Sequence, residues 1–245
     1  MSKKKIVFIS GSSAGLGFEL AKYFSEENYT IIMNGRSEKK LKNSQKKITN
    51  SYSVSGDLSN KDDCKNIFKK IKKKFSKIDL MICNAGVGDF KKTDTDYLYA
   101  FNNNFFNTVN TINFLSPLLR NSFSNIICIS SICGVENIRG APKGYSLAKS
   151  ALNKYVKLAS QDLAKSKIKI NSISPGNILF KNSVWEKRLL LDRNKTIEYI
   201  NKVVPMNSFI YPKNIYDLIR FIIDKNNHSI TGSNFIIDGG QTKNT

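Results

Sequence analysis

Residues Ile6 to Gly17 read Ile-Val-Phe-Ile-Ser-Gly-Ser-Ser-Ala-Gly-Leu-Gly, and the order of chemistry in that stretch decides the fold. An apolar run, expected as a strand over Lys5–Ser10, passes straight into glycines spaced GxxxGxG. A helical pattern over about 15–28 follows. Gly11 permits a sharp turn, Gly15 lets backbone approach a pyrophosphate, and Gly17 lets the next helix lie close on the sheet. The N-terminus of that helix offers free N–H groups and partial positive charge to phosphate. Ser12 and Ser13 add hydroxyl donors. A glycine-rich turn alone is a weak signal, because any tight strand–helix turn needs glycine. Its place after the first strand and before a helix strengthens it.

Working outward, apolar strand-like runs alternate with helical patterns along the whole chain. Strands are expected at Thr30–Gly35, Ser51–Ser55, Asp79–Asn84, Asn125–Ser130, Lys169–Ser174 and Asn234–Asp238. Helices are expected over about 37–49, 60–76, 95–120, 144–166 and 212–225. Such alternation predicts an α/β fold. The expected architecture is a single Rossmann-type doubly wound parallel sheet of about seven strands with helices on both faces. One domain over 1–245 is the simplest division, since no repeat, low-complexity tract or Pro/Gly linker interrupts the chain. The longest irregular stretch, about 177–211, is expected to be a functional loop, a lid over the site. In the expected helix around Tyr97–Leu119, Leu98, Phe101, Phe105, Val109 and Ile112 form one apolar stripe. Tyr99, Phe106 and Phe114 add apolar surface elsewhere. A helix apolar on two sides is buried on two sides, so a second subunit or the protein's own loops should cover the outer one.

Composition narrows the function classes. Forty per cent apolar residues suffice for a full core. No stretch approaches the ~20 apolar residues of a membrane span, and the run Ile6–Ile9 is too short for a signal peptide. The four cysteines show neither a CxxC pair nor metal spacing; Cys83 and Cys128 fall in expected strands as core thiols, which fits a reducing cytoplasm. His228 is the sole histidine, which argues against a histidine triad or zinc site. The net charge of +20 is concentrated at Arg36–Lys47 and Lys61–Lys77. Both runs read as solvated helix faces in preference to a polyanion-binding surface, because the aromatic interleaving wanted for nucleic acid is missing there.

Two further groups carry chemistry. Tyr145 and Lys149 stand at i and i+4 on an expected helix and share a face. A free phenol titrates near ~10, and a neighbouring ammonium brings it toward neutral, where it can exchange protons with an oxygen. The second strand ends Asn34-Gly35-Arg36-Ser37, with no acid for the ribose hydroxyls of NAD(H). Arg36 can clasp a 2′-phosphate and Ser37 can bond to it, so NADP(H) is expected over NAD(H). A hydrogen bond to a charged group contributes ~1.5–3 kcal/mol, roughly ten- to a hundredfold in affinity.

On these motifs, and on others in order behind them, the chain resembles the short-chain dehydrogenase/reductase family over nearly its whole length, and within it the 3-oxoacyl-carrier-protein reductases. The loop Gly11, Gly15, Leu16, Gly17 matches in register. Asp57 and Leu58 resemble the segment that contacts adenine, and Asn84, Ala85 and Gly86 resemble NNAG after the fourth strand. Asn104 falls where the family keeps an asparagine, Ser131 in its serine segment, and Tyr145–Lys149 in its YxxxK signature. Pro175, Gly176 and Ile178 belong to the segment beside the nicotinamide, and Ile230 to Gly240 resembles the C-terminal strand motif. The resemblance implies hydride transfer between nicotinamide and a ketone or secondary alcohol. Tyr145 would move the proton, Ser131 would stabilise the oxyanion, Lys149 would hold the ribose and tune Tyr145, and Asn104 would hold a relay water. It also implies a homodimer or homotetramer.

There are departures. Cys83 stands for the first Asn of NNAG, and one extra residue separates Ser131 from Tyr145. Phe180 stands four residues past Gly176, where the family has the threonine that binds the nicotinamide amide; Ser183 is the nearest substitute. The lid is basic, with Lys181, Lys187, Arg188, Arg193 and Lys195 around Trp185. This suits an anionic or carrier-bound substrate, either a 3-oxoacyl thioester or a keto sugar or sugar nucleotide of surface-polysaccharide synthesis. The rival of another class is a non-catalytic NADP-binding sensor or scaffold, whose mark would be a broken Ser–Tyr–Lys set.

Overall fold

The computed structural model describes residues 4–88, 90–119 and 124–243. Seven strands form one parallel sheet in the order β3-β2-β1-β4-β5-β6-β7. They are β1 (Ile6–Ile9), β2 (Thr30–Gly35), β3 (Ser51–Ser55), β4 (Leu80–Cys83), β5 (Ser124–Ile129), β6 (Ile168–Pro175) and β7 (Asn234–Ile237). All seven lie where the apolar runs predict them.

The central strands are apolar on consecutive residues because both faces of the sheet are covered. Side chains alternate across it. Val7, Ile9, Ile31, Met33, Leu80, Ile82 and Ile127 enter one core, against Leu20 and Phe24 of α1 (Gly15–Glu26) and Ile215 and Ile219 of α10 (Pro212–Ile222). Phe8, Ile32, Met81, Cys83, Ile126 and Cys128 enter the other. That second core is closed by Ile67 and Ile71 of α3 (Lys61–Lys74), Ile112 of α6 (Asn107–Leu115), and Leu152 and Val156 of α7 (Lys143–Lys165). Each fully buried Leu, Ile or Phe contributes ~1.5–3 kcal/mol, so a one-residue slip of any central strand would exchange the two cores. The remaining early helix, α2 (Glu38–Gln45), is capped by Ser37, whose hydroxyl accepts from the Lys40 N–H.

Two regions differ from expectation. The single helix expected over 95–120 is preceded by α4 (Phe90–Thr95) and is itself broken into α5 (Tyr97–Phe101), a π-helical turn at Asn102–Phe106, α6 and a 3₁₀ turn at Ser116–Leu118. The amides of Asn103, Asn104 and Asn107 each donate to the carbonyl four residues back, Tyr99, Ala100 and Asn103, at 2.9, 3.0 and 2.6 Å. Side chains competing for ladder carbonyls loosen the helical turn there. The apolar stripe splits accordingly: Ile112 is buried, whereas Leu98 is 69% exposed. The other difference is the stretch expected as irregular at 177–211. It holds α8 (Val184–Leu191) and α9 (Arg193–Val203), with a small apolar cluster of their own around Ile200, Val204 and Phe209. Its two ends are tied together, because Leu179 donates to the Ile210 carbonyl and Ile210 to that of Asn177. No helix among the described residues is long and apolar enough to cross a membrane.

Candidate active site

The sheet order reverses between β1 and its neighbours β2 and β4, and a cleft opens beyond the carboxyl ends of these strands, as the topology requires. Its volume is about 300 Å³. Gly11, Ser13, Ala14 and Gly15 form one wall, Arg36 the second, Asp57 and Leu58 the third, and Ala85 and Gly86 the fourth. All but Ala14 are expected from the sequence.

The wall at β1 can only be glycine. Gly11 has φ +64°, and a Cβ there would stand 2.9 Å from the Ala85 Cα. A Cβ on Gly17 would stand 2.5 Å from Asn84 Nδ2 and 2.6 Å from the Gly11 carbonyl oxygen. Asn84 donates to the carbonyls of Ser10 and Gly11 at 3.0 and 3.3 Å, and the Ser10 hydroxyl accepts the N–H groups of Asn84 and Ala85 at 2.9 Å each. Asn84 therefore clamps the glycine turn onto β4 and does not line the cleft. At the start of α1, Ala14 makes no side-chain cap and the first turn holds no acid. Its N–H groups are left for an anion. With Arg36 lining the same cleft, this donor set fits a dinucleotide diphosphate carrying an additional phosphate on its ribose.

Several expected contacts take other roles. Ser12 is fully buried; its hydroxyl donates to the Ile9 carbonyl at 2.9 Å and accepts the Asn34 N–H at 3.1 Å, so it ties the turn to β2 and has no phosphate to reach. Leu16 packs in the core. Ser37 caps α2, outside the cleft lining, and Pro175 is the last residue of β6. Besides Asn34 of β2, two further asparagines not expected as site residues line the cleft: Asn103, which accepts a 3.3 Å bond from Arg36 Nη1, and Asn107, which donates to the Ala85 carbonyl at 2.8 Å. The run of Asn102, Asn103 and Asn104 is their only sequence signal.

A second cleft, of about 310 Å³, adjoins the first and holds Ser131, Tyr145, Gly176 and Ile178. Ser131 follows β5 and starts a 3₁₀ turn at Ile132–Gly134, its hydroxyl accepting the Cys133 N–H at 3.1 Å. Gly134 presses that turn onto α7: a Cβ there would lie 2.5 Å from the Lys149 carbonyl carbon. This contact brings Ser131 within hydrogen-bonding reach of the Tyr145 phenol. Lys149 is buried one helical turn behind, its Nζ 5.8 Å from the Tyr145 ring centroid and donating to the Ile129 carbonyl at 2.8 Å. Ile129 lies one residue past the last β4–β5 pair, Cys83↔Cys128, so the ladder to β4 has ended there although Ile129 still pairs with Ile173 of β6. Asn104 is buried beside them. Its Oδ1 accepts the Val87 N–H at 3.0 Å and its Nδ2 donates to Ala100, so the side chain fixes the loop after β4 and makes no bond to Lys149.

The electrostatics correct one expectation. Burial pushes the Tyr145 phenol above its ordinary pKa, with the Cys133 thiol adding to the rise and the Ser131 bond opposing it. Burial lowers Lys149 to about 8, against smaller upward pulls from Cys128 and Cys133. Desolvation is the largest influence on both groups, and the expected drop of the phenol toward neutrality gives way to a rise.

Phe180 stands at the junction of the clefts. Its Cε2 lies 3.2 Å from where a Gly15 Cβ would be, and its ring lines the second cleft. Ser183, the expected substitute for the missing threonine, is buried and caps α8, its hydroxyl accepting from Glu186 N at 3.0 Å and Phe180 N at 3.3 Å.

Residues 11–242 match the model of a family described as enoyl-(acyl carrier protein) reductase. A 3-oxoacyl-[acyl-carrier-protein] reductase FabG from Rickettsia conorii is 26% identical over 242 residues, covering 96% of either chain. Among solved structures, L-sorbose reductase from Gluconobacter frateurii, complexed with NADPH and L-sorbose, superposes with a TM-score of 0.88 at 23% identity, over 99% of this chain and 98% of that one; the likeness is one of fold. A short-chain dehydrogenase/reductase of unknown function from Caenorhabditis elegans, solved with cofactor, reaches a TM-score of 0.81 at 27% identity, over 97% of this chain and 94% of its own.

Proposed function

Since the chain belongs to the short-chain dehydrogenase/reductase family, we propose that it is an NADP(H)-dependent oxidoreductase working between a ketone and its secondary alcohol, and specifically a reductase of 3-oxoacyl thioesters. The observation that carries this reading is the meeting of Ser131 and Tyr145 in one cleft, with Lys149 buried behind them and the Arg36 cleft alongside.

The bound nicotinamide supplies the hydride. The chain's own residues do the rest. Arg36 and the N–H groups at the start of α1 hold the dinucleotide's phosphates, with Asp57, Leu58, Ala85 and Gly86 around its adenosine half. Gly176 and Ile178 would flank the nicotinamide half, and Lys149 would hold its ribose. Ser131 and Tyr145 direct their hydroxyls at the substrate oxygen, where negative charge develops during reduction. Tyr145 then delivers its proton. A phenol whose pKa is raised keeps its proton across the neutral range and has it to give to a substrate oxygen. Ile132, Ile138, Pro142, Ile178, Val184 and Trp185 give the second cleft apolar walls, which suit an acyl chain better than a polyhydroxylated sugar.

The proposed partner besides substrate is a second copy of the chain, as a homodimer or homotetramer. Exposed Leu98, Phe106, Leu147 and Leu158 supply apolar surface for it. A cytoplasmic setting goes with this reading and with four unpaired cysteines.

The test is a fluorescence titration of NADPH against NADH, followed by turnover of acetoacetyl thioesters. Tight NADPH binding with thioester reduction is expected. Binding without turnover of any ketone or alcohol would leave a nucleotide-binding scaffold.

A further inference from the structure

Two arginines of the second cleft have no part in that mechanism. Arg139 comes from the loop before α7 and Arg188 from α8, and both line the cleft that holds Ser131 and Tyr145. Arginine is scarce here, six residues against 33 lysines. A chain that meets its general need for positive charge with lysine has put two of its few guanidinium groups at one cleft. Neither has an ion-pair partner: the seven salt bridges among the described residues involve other cations. Arg188 is also held in position. Its guanidinium carbon lies 4.7 Å from the Trp185 ring centroid, and Trp185 stacks on Tyr199 at 5.6 Å and packs on Phe209 at 5.8 Å. A guanidinium seated on an indole keeps its N–H fork free for a planar oxyanion, a task an ammonium performs less selectively. Much of the lining they share with the Ser131–Tyr145 pair is apolar, including Ile132, Ile138, Pro142, Ile178 and Val184.

We infer that Arg139 and Arg188 form an oxyanion-binding subsite, and that the substrate is a ketone carrying a carboxylate or a phosphate at the far end of an apolar body from its reacting carbonyl. This deepens the reductase reading and rests on it for the carbonyl end only. The anion has two chemical sources, the carboxylate of a free keto acid or the phosphate of a pantetheine-linked thioester.

Trp185 is the chain's single tryptophan, and because it lies under Arg188 its fluorescence reports occupancy without turnover. The experiment titrates the whole protein with two matched pairs: 7-oxooctanoate against its methyl ester, and acetoacetyl-pantetheine 4′-phosphate against acetoacetyl-pantetheine. In at least one pair the charged member is expected to bind about tenfold to a hundredfold tighter, the range set by a charge-assisted hydrogen bond. The pair that shows the gap identifies the source. Arg188→Gln should close the gap while leaving the neutral member unchanged, Arg139→Gln should narrow it, and Arg188→Lys should keep part of it. Equal binding within both pairs, no saturable response to either anion, or an Arg188→Gln effect shared by charged and neutral members would overturn the subsite. Reduction of neutral ketones without an anion preference would remove the subsite and keep the reductase. Saturable anion binding with no ketone turned over would do the reverse.

Discussion

The two clefts are made of different material. The first is walled largely by main chain at strand ends, where Gly11 and Gly17 lie so close to their neighbours that any side chain would collide. The second is walled by side chains, many of them delivered by the excursion between β6 and α10. A backbone-built site is fixed by sterics and spacing, and it tolerates little variation. A side-chain-built site depends on where tertiary packing carries each residue, and it can change ligand while the fold stays as it is.

That division is sharpest at the reacting groups. Tyr145→Phe should lower the reduction rate about 10²–10⁴-fold, the range for a lost general acid, and leave the dissociation constant of NADPH within about twofold. Steady-state kinetics and a fluorescence titration on the same preparation measure both. A parallel loss of cofactor affinity would mean that the clefts are energetically one site.

Lys149 tests the border between them. Its burial lowers its pKa from 10.5 to about 8, so the folded chain holds this proton less tightly than the unfolded chain does. The sign follows: the folded state is penalised at pH values below about 8, and the penalty disappears as pH rises from about 8 to 10.5. At about 1.4 kcal/mol per unit, the penalty is about 3 kcal/mol at pH 7. Lys149→Met forfeits the bond to Ile129, about 1 kcal/mol, and should still unfold at higher urea than the wild type at pH 7, with the gap closing by pH 10. A variant less stable than wild type at pH 7 would contradict the burial cost. Activity should be lost in either case, so this lysine is retained at the expense of stability.

The same contrast accounts for what is readable in the sequence. All seven strands are legible, because a short run of consecutive apolar residues between turn signals is the pattern a strand covered on both faces requires. The glycine turn, Tyr145 and Lys149 stand out by spacing, Arg36 by its place at the end of the second strand, and Ser131 through the family resemblance. Helices α8 and α9 are not, although Ser183-Val-Trp-Glu186 has the sequence pattern of a capping box, with Ser183 capping α8, and Asp192 caps the next helix; the absence of a strong apolar stripe hides both. Asn103 and Asn107 reach the first cleft only because the helix loosens at 102–106, and no local periodicity reports that. Ser12 illustrates the opposite error. Position in the motif assigns its hydroxyl to phosphate, yet the buried carbonyl of Ile9 needs a donor first.

Arg36 is the one side chain on which the cofactor choice of the backbone-built cleft rests. Arg36→Ala should weaken NADPH about ten- to a hundredfold and leave NADH nearly untouched. Its bond to Asn103, which lines the same cleft, gives a finer check: Asn103→Ala frees the guanidinium without removing its charge, so the loss should be well under that of Arg36→Ala. Equal losses from the two variants would move the selectivity from the arginine's charge to the shape of the cleft.

The smallest effect belongs to the residue that joins the two regions. Phe180 lies against Gly15 in one cleft and lines the other, and it occupies a position where a hydroxyl was expected. If its ring acts as a partition, Phe180→Ala removes packing against the backbone of the glycine turn and enlarges the second cleft. The adenosine end, held at Arg36, does not feel the change. The expected outcome is a rise of about two- to fivefold in KM for a small ketone, the equivalent of losing ~0.5–1 kcal/mol of contact, with NADPH affinity changed less than KM. Phe180→Thr restores the hydroxyl without the ring. Should the threonine variant bind NADPH more tightly than the alanine variant, the main-chain cleft still has room for the amide contact and the phenylalanine serves the substrate side alone. Should the two behave alike, the loop carries residue 180 out of reach of that contact, and the lid has been rebuilt around its aromatic packing.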